Sequence, residues 1–113
     1  MVSKKRPPKA PENLSLAGKK LWRSIVEGWD LEDRHLRILR TACEQHDRAA
    51  AARDIIAKDG LTCLDRFGQL REHPAVGIER QAALAHLRLM RELGLDLEEP
   101  SAARGPGRPG VRN

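Results

Sequence analysis

Large side chains for a protein interior are scarce here. The chain of 113 residues holds three aromatics, Trp22, Trp29 and Phe67, and no tyrosine. Leu, Ile, Val and Ala must therefore build the core, which favours helices over a sandwich or barrel. Cysteine is almost absent. Cys43 and Cys63 make no disulfide framework and read as free thiols of a reducing compartment. No apolar run approaches the ~20 residues needed to cross a bilayer, so no membrane partner is expected. The basic residues after Met1 are not followed by an apolar stretch, so this end reads as an arm and not as a secretory signal.

Catalytic signatures are missing too. No GxxxxGK[ST] loop is present to cradle phosphates, so ATP hydrolysis is not expected. The glycines and prolines of residues 105–110 lack the lysine and the strand–helix context of such a loop. Cys43 and His46 lie three apart on a predicted helix, and Cys63 or His73 could join them. No CxxC or HxxxH pair accompanies them, so neither a metal nor any other cofactor is expected. The acidic residues are scattered among Arg and Lys, and nothing marks a two-metal nuclease. His73, just before Pro74, reads as a helix-start residue and not as a general base. The expected protein is not an enzyme.

What the chain does have is charge at its ends and apolar periodicity between them. The net charge is +5. Lys4, Lys5, Arg6 and Lys9 against Glu12 give the first thirteen residues +3. Arg104, Arg108 and Arg112 give the last thirteen another +3, so the body carries −1. A near-neutral body with basic arms points to a polyanion, most simply nucleic acid, over tails that merely aid solubility.

Residues 1–13, with Pro7, Pro8 and Pro11 among the cations, read as a disordered basic arm suited to a phosphate backbone or a minor groove. Residues 14–97 read as one helical domain of recognition and oligomerisation. The fold expected is mainly α: a three-helix core with two long helices and a small β-hairpin between the second and third. The first helix spans Ser15–Trp29 with Ser15 as its cap. Leu21, Trp22, Ile25, Val26 and Trp29 share one side, and both tryptophans read as core anchors. The second runs from Asp30, its expected cap, to Asp59, and Gly60 stops it. Leu36, Leu39, Cys43 and Ala50 form its stripe. Arg34, Arg37 and Arg40 lie outward; they read as a solvated face unless the first two helices make a helix-turn-helix. Leu61–Leu64 and Phe67–Arg71 flank a turn and form the hairpin. It is marginal alone and should pack on the helices or pair with a neighbouring subunit.

The stretch from Glu72 to Gly94 organises the rest. Pro74 suits the first helical position and Gly94 the left-handed stop. Val76, Ala83, Leu87 and Met90 lie near one face, widened by Ala75, Ile78, Ala82, Ala85, Leu89 and Leu93. That surface is broad enough for a helix of the same chain on one side and another subunit on the other. Residues 98–113 form a flexible Pro/Gly/Arg tail. Gly107-Arg108-Pro109 echoes the AT-hook core, but Pro106 precedes it where an arginine is usual, so a partner-docking tail is favoured.

The order of these signals resembles the P27-type small subunit of phage terminase. The residues that carry the likeness are Pro11, Leu14-Ser15 before Leu21-Trp22, Asp33 with Leu36, Leu39 and Cys43, then Gly60, Gly68, His73-Pro74-Ala75 and Leu93-Gly94-Leu95. They span about Pro8 to Leu97. The resemblance implies a helical protein that assembles as a homo-oligomer, in a ring of about eight to ten copies. It implies recognition of double-stranded viral DNA in the host cytoplasm and its delivery to a large terminase subunit, which carries the ATPase and nuclease. Candidate DNA contacts read from this chain are Lys4, Lys5, Arg6, Lys9, Lys19, Lys20 and Arg23, then Arg34 and Arg37. Arg104, Arg108 and Arg112 are the candidates for docking the large subunit. A non-enzymatic oligomeric adaptor and a dimeric transcription regulator are the competing expectations.

Overall fold

The helices start and stop where local chemistry provides for it. A computed structural model describes residues 6–94 of the chain. The first helix, α1, spans Leu16–Gly28, and the Ser15 hydroxyl caps it by accepting from the Gly18 N–H at 3.1 Å. The second, α2, spans Asp33–Asp59 and ends at Gly60, whose φ of 91° few side chains tolerate. The third, α3, spans Pro74–Leu93, with Pro74 in its first turn and Gly94 left-handed after it. The His73 ring accepts from the Ala75 N–H at 3.0 Å, so it is the helix-start residue expected.

The start of α2 differs from the sequence expectation. Glu32 replaces Asp30 as the cap, in a reciprocal pair with His35: the Glu32 side chain accepts from the His35 N–H, and the Glu32 N–H donates to the His35 ring. Leu31 stays outside the helix, half-buried against the core, which holds the chain extended for three more residues.

Between α2 and α3, β1 (Thr62–Leu64) pairs antiparallel with β2 (Leu70–Glu72), with Leu64 opposite Leu70. The strands are shorter than the expected segments because Asp65 rebuilds the turn. One of its carboxylate oxygens accepts from the Phe67 and Gln69 N–H groups at 2.8 and 2.9 Å; the other takes Arg71 at 2.9 Å. The Gln69 bond and then the Arg71 guanidinium hold the Asp65 carboxyl below its ordinary pKa.

Helices α2 and α3 are antiparallel. His73 meets Asp59 at 3.0 Å, Arg53 meets Glu79 at 3.2 Å, and His86 donates to the Ala42 carbonyl at 2.8 Å, so positions rise on one helix as they fall on the other. The core sits at one end of this pair, where α1 covers it. Leu14, Trp22, Val26, Leu39, Cys43 and Leu93 are buried there, with Leu21, Ile25, Leu36 and Met90 against them. Beyond the reach of α1 only Ala49, Ala52, Ala75 and Ala82 are buried, and the two helices form a bare stalk tipped by the hairpin. Most of the exposed large apolar side chains lie on this stalk and tip: Ile55, Leu61, Leu64, Phe67, Leu70 and Ile78; Leu84 and Leu87 are exposed on α3 level with the covered end.

Two packing expectations are revised by this layout. Trp22 is an anchor, but Trp29 is 39 % exposed, because α1 ends at Gly28 and Trp29 takes an extended conformation after it. On α3 the buried line is Ala75–Ala82–Leu93, one step round from the Val76–Ala83–Leu87 stripe, which only Met90 carries into the core. No helix among the described residues is long and apolar enough to cross a membrane.

Candidate nucleic-acid interface

Trp22 fixes where the basic arm leaves the body. Its indole Nε1 donates to the Pro8 carbonyl at 3.0 Å, while Ala10 packs on the core and Leu14 is buried within it. The segment bearing Arg6 and Lys9, both exposed, is thereby held beside the turn of α1 that carries Lys19, Lys20 and Arg23. On α1, Lys20 and Arg23 stand on the exposed side with Leu16 and Glu27, and Lys19 is half-buried at its margin. None of Arg6, Lys9, Lys19, Lys20 and Arg23 has an ion-pair partner among the described residues. Lys4, Lys5, Arg104, Arg108 and Arg112 lie outside the described residues.

The arginines at the start of α2 are placed differently. Arg34 reaches Glu32 at 3.5 Å, Arg37 reaches Asp33 at 3.1 Å and Arg40 reaches Glu44 at 3.3 Å. These exposed pairs stabilise the helix little, but each cancels a charge locally. The structure does not gather Arg34 and Arg37 with the α1 cluster as unpaired cations. Arg48, three turns on from Arg37, is exposed with no ion-pair partner among the described residues; sequence reasoning passed it over, although its spacing from Arg37 was the available signal. Arg80, Arg88 and Arg91 are likewise exposed on α3.

The junction of α1 with α2 was not visible in the sequence. Asp47, midway along α2, accepts from the Ser15 N–H at 2.6 Å and from its hydroxyl at 2.7 Å, and lies 3.4 Å from His46. Asn13 donates to Glu44 at 3.0 Å beside it. Gly18 leaves the room: a Cβ there would fall 2.5 and 2.6 Å from the two Asp47 oxygens. Burial by itself would raise the Asp47 pKa; the Ser15 bonds and the His46 contact outweigh it and hold the carboxyl below its ordinary 3.8.

This lock gives a pH dependence with a defined sign. A depressed native pKa contributes stability that is present above the ordinary aspartate range and is lost as pH falls through the native value. Urea midpoints compared at pH 7 and about pH 3 should fall for the wild type, and Asp47→Asn should flatten part of that fall. An Asp47→Asn protein with an unaltered acid limb would remove Asp47 from the lock.

Junction geometry also decides against a helix-turn-helix. The thirteen residues of α1 and the first fifteen of α2 are each about 20 Å long, and their far ends meet at Ser15 and Asp47. The link from Gly28 to Asp33 spans at most ~17 Å. The two helices therefore lie within roughly 50° of antiparallel, whereas a helix-turn-helix crosses at about 90–120°.

Burial, then the nearby Asp47 and Glu44 charges, push the Cys43 thiol up to about 12, so it is an inert core residue. Among the described residues no three His, Cys, Asp or Glu side chains come together as a metal site. His46 does meet His86 edge-on, with ring centroids 5.5 Å apart, in the contact between α2 and α3.

A family described as phage terminase, small subunit, matches the chain over residues 18–107. No curated protein and no solved structure matches it.

Proposed function

This chain belongs to the phage terminase small-subunit family, whose role is in phage DNA packaging, and from that membership we propose how its own residues serve that role. The chain recognises double-stranded viral DNA in the host cytoplasm, delivers it to the large terminase subunit and regulates that subunit, with no catalytic step of its own. The observation that supports this best is the cluster of cations on α1 and the arm beside it, held by the Trp22–Pro8 bond. Cations in register along a helix face and an anchored arm suit a phosphate backbone better than base edges, so contact is mainly electrostatic. One copy offers few contacts, and a closed homo-oligomer multiplies them through effective concentration. Lys4 and Lys5 extend the same arm. The tail bearing Arg104, Arg108 and Arg112 is the segment assigned to the large subunit.

A salt titration tests the DNA surface. Each phosphate contact contributes about −0.9 to the slope of log K against log salt on duplex DNA. Lys19→Ala, Lys20→Ala and Arg23→Ala together should shallow that slope by roughly 2 to 3 for each engaged subunit and weaken binding at least about tenfold near 0.1 M salt. An unchanged slope would take α1 out of the interface. No duplex binding by the wild-type protein, even at low salt, would sink the DNA reading.

A second reading, an oligomeric adaptor that never touches DNA, is favoured by the apolar stalk and tip. The same titration separates it, because an adaptor assembles without a salt-dependent duplex signal. The dimeric regulator has no comparable support, since α1 and α2 do not present a recognition helix.

A further inference from the structure

We infer that the outer face of α3 is a docking strip for the acidic segment that follows it, residues 95–99, which folds back along α3 in the same chain. This contact is independent of DNA recognition by α1.

Helical spacing sets the strip. Arg80, Leu84, Leu87, Arg88 and Arg91 are all exposed, on the side of α3 away from the buried Ala75, Ala82 and Leu93. At 3.6 residues per turn they fall within an arc of about 100°. Leu84 is 49 % exposed and Leu87 57 %, with the three arginines around them. None of those arginines has an ion-pair partner among the described residues. Glu92 stands at the margin and leaves the strip with a net +2. Exposed leucines ringed by unpaired guanidinium groups call for an occupant that is apolar and acidic at once. A duplex backbone supplies the charge but has nothing apolar to cover Leu84 and Leu87.

Residues 95–99 read Leu-Asp-Leu-Glu-Glu, two leucines with three carboxylates and no cation. They begin where the strip ends. Gly94 is left-handed and its N–H donates to the Arg91 carbonyl at 3.0 Å, so the chain leaves the helix axis within a turn of Arg91. Five extended residues span at most ~17 Å. From Gly94 back to Leu84 is about 15 Å along the helix axis, and to Arg80 about 21 Å. The segment therefore reaches Arg91, Arg88, Leu87 and Leu84 and stops short of Arg80. Side chains alternate along an extended segment, so Leu95 and Leu97 share one side and can lie on the two α3 leucines. The long stems of Arg88 and Arg91 let their charged heads reach Asp96 and Glu98 at the edges. A segment joined directly to α3 acts at an effective concentration of about millimolar, which favours it over the same segment of another copy. The tail bearing Arg104, Arg108 and Arg112 then leaves from the flank of α3.

Methyl nuclear Overhauser spectra of the full-length chain, labelled at its leucine methyls, test this. Cross-peaks should join Leu95 and Leu97 to Leu84 and Leu87. Arg88→Glu with Arg91→Glu should abolish them, and Glu98→Arg with Glu99→Arg added to that pair should restore them; helical circular dichroism confirms each fold. A wild type without these cross-peaks overturns the inference. If duplex DNA then shifts the Leu84 and Leu87 methyls, the strip belongs to DNA instead. Cross-peaks that survive the arginine reversal overturn the charge match. Co-expression of a Leu84→Ala/Leu87→Ala chain with a Leu95→Ala/Leu97→Ala chain separates one chain from two. Contact within a chain gives no cross-peaks in that mixture. Cross-peaks that return there overturn the same-chain contact in favour of a second copy.

Discussion

Trp22→Ala should cost about 3–5 kcal/mol of folding stability, the most of any single change considered. Trp22 is 4 % exposed and is the largest side chain in the closed end of the molecule, against Leu14, Val26, Leu39, Cys43 and Leu93. Its removal leaves a cavity that α1 cannot fill without sliding off Asp47, and it leaves the Pro8 carbonyl without its donor. A protomer with so short a closed core lies near the lower end of the usual 5–15 kcal/mol range, so the variant should be largely unfolded or molten at 25 °C. Trp29→Ala is the control. With Trp29 at the surface after α1, its loss should cost under about 1 kcal/mol. Urea titrations followed by circular dichroism measure both. Equal losses would mean that the two tryptophans share the interior, contrary to the core described above.

Trp22→Phe separates packing from tethering. Phenylalanine retains most of the buried area but cannot donate to Pro8, so stability should fall by only about 1–2 kcal/mol. The arm would then be released from α1. If the arm and α1 act on DNA as one surface, this variant should weaken duplex binding more than its stability loss explains.

Much of the fold was legible because its signals are local. A hydroxyl before a helix, a proline in its first turn and a glycine after its last each act within four residues, which is why Ser15, Pro74, Gly60 and Gly94 could be placed from sequence. Asp30 failed as a cap for an equally local reason: the Glu32–His35 exchange satisfies more of the helix start than one aspartate does. Trp29 and the α3 stripe were misjudged because periodicity states which residues share a face and not how far a neighbouring helix covers it. The end of α1 at Gly28 decided the first, and the side of α3 turned to its neighbours, the Ala75–Ala82–Leu93 line, decided the second. Among the site residues, Lys20 and Arg23 could be read as outward from their spacing. That Arg34 and Arg37 are tied to Glu32 and Asp33 depends on side-chain conformations that spacing does not specify. The role of Asp47 in the lock had no sequence signal, since Ser15, the residue it holds, is 32 residues away.

The Asp47 lock predicts a reversal of sign at Gly18. In an ordinary helix Gly→Ala stabilises by about 1 kcal/mol, because alanine gives up less backbone freedom. At Gly18 the new Cβ would sit 2.5 Å from an Asp47 oxygen. The carboxylate is the movable end of its side chain, but moving it breaks both bonds to Ser15, at 2.6 and 2.7 Å, and uncaps α1 from α2. Losing those bonds costs about 2 kcal/mol on balance, so Gly18→Ala should destabilise the wild type by about 1 kcal/mol. In an Asp47→Ala background the oxygens are gone and only the helix preference remains. There Gly18→Ala should stabilise by about 1 kcal/mol, a coupling of about 2 kcal/mol between residues 18 and 47. Four urea curves complete the cycle. A Gly18→Ala change that stabilises both backgrounds alike would show that the carboxylate moves aside at no cost, and α1 would then be held by the Trp22 packing alone.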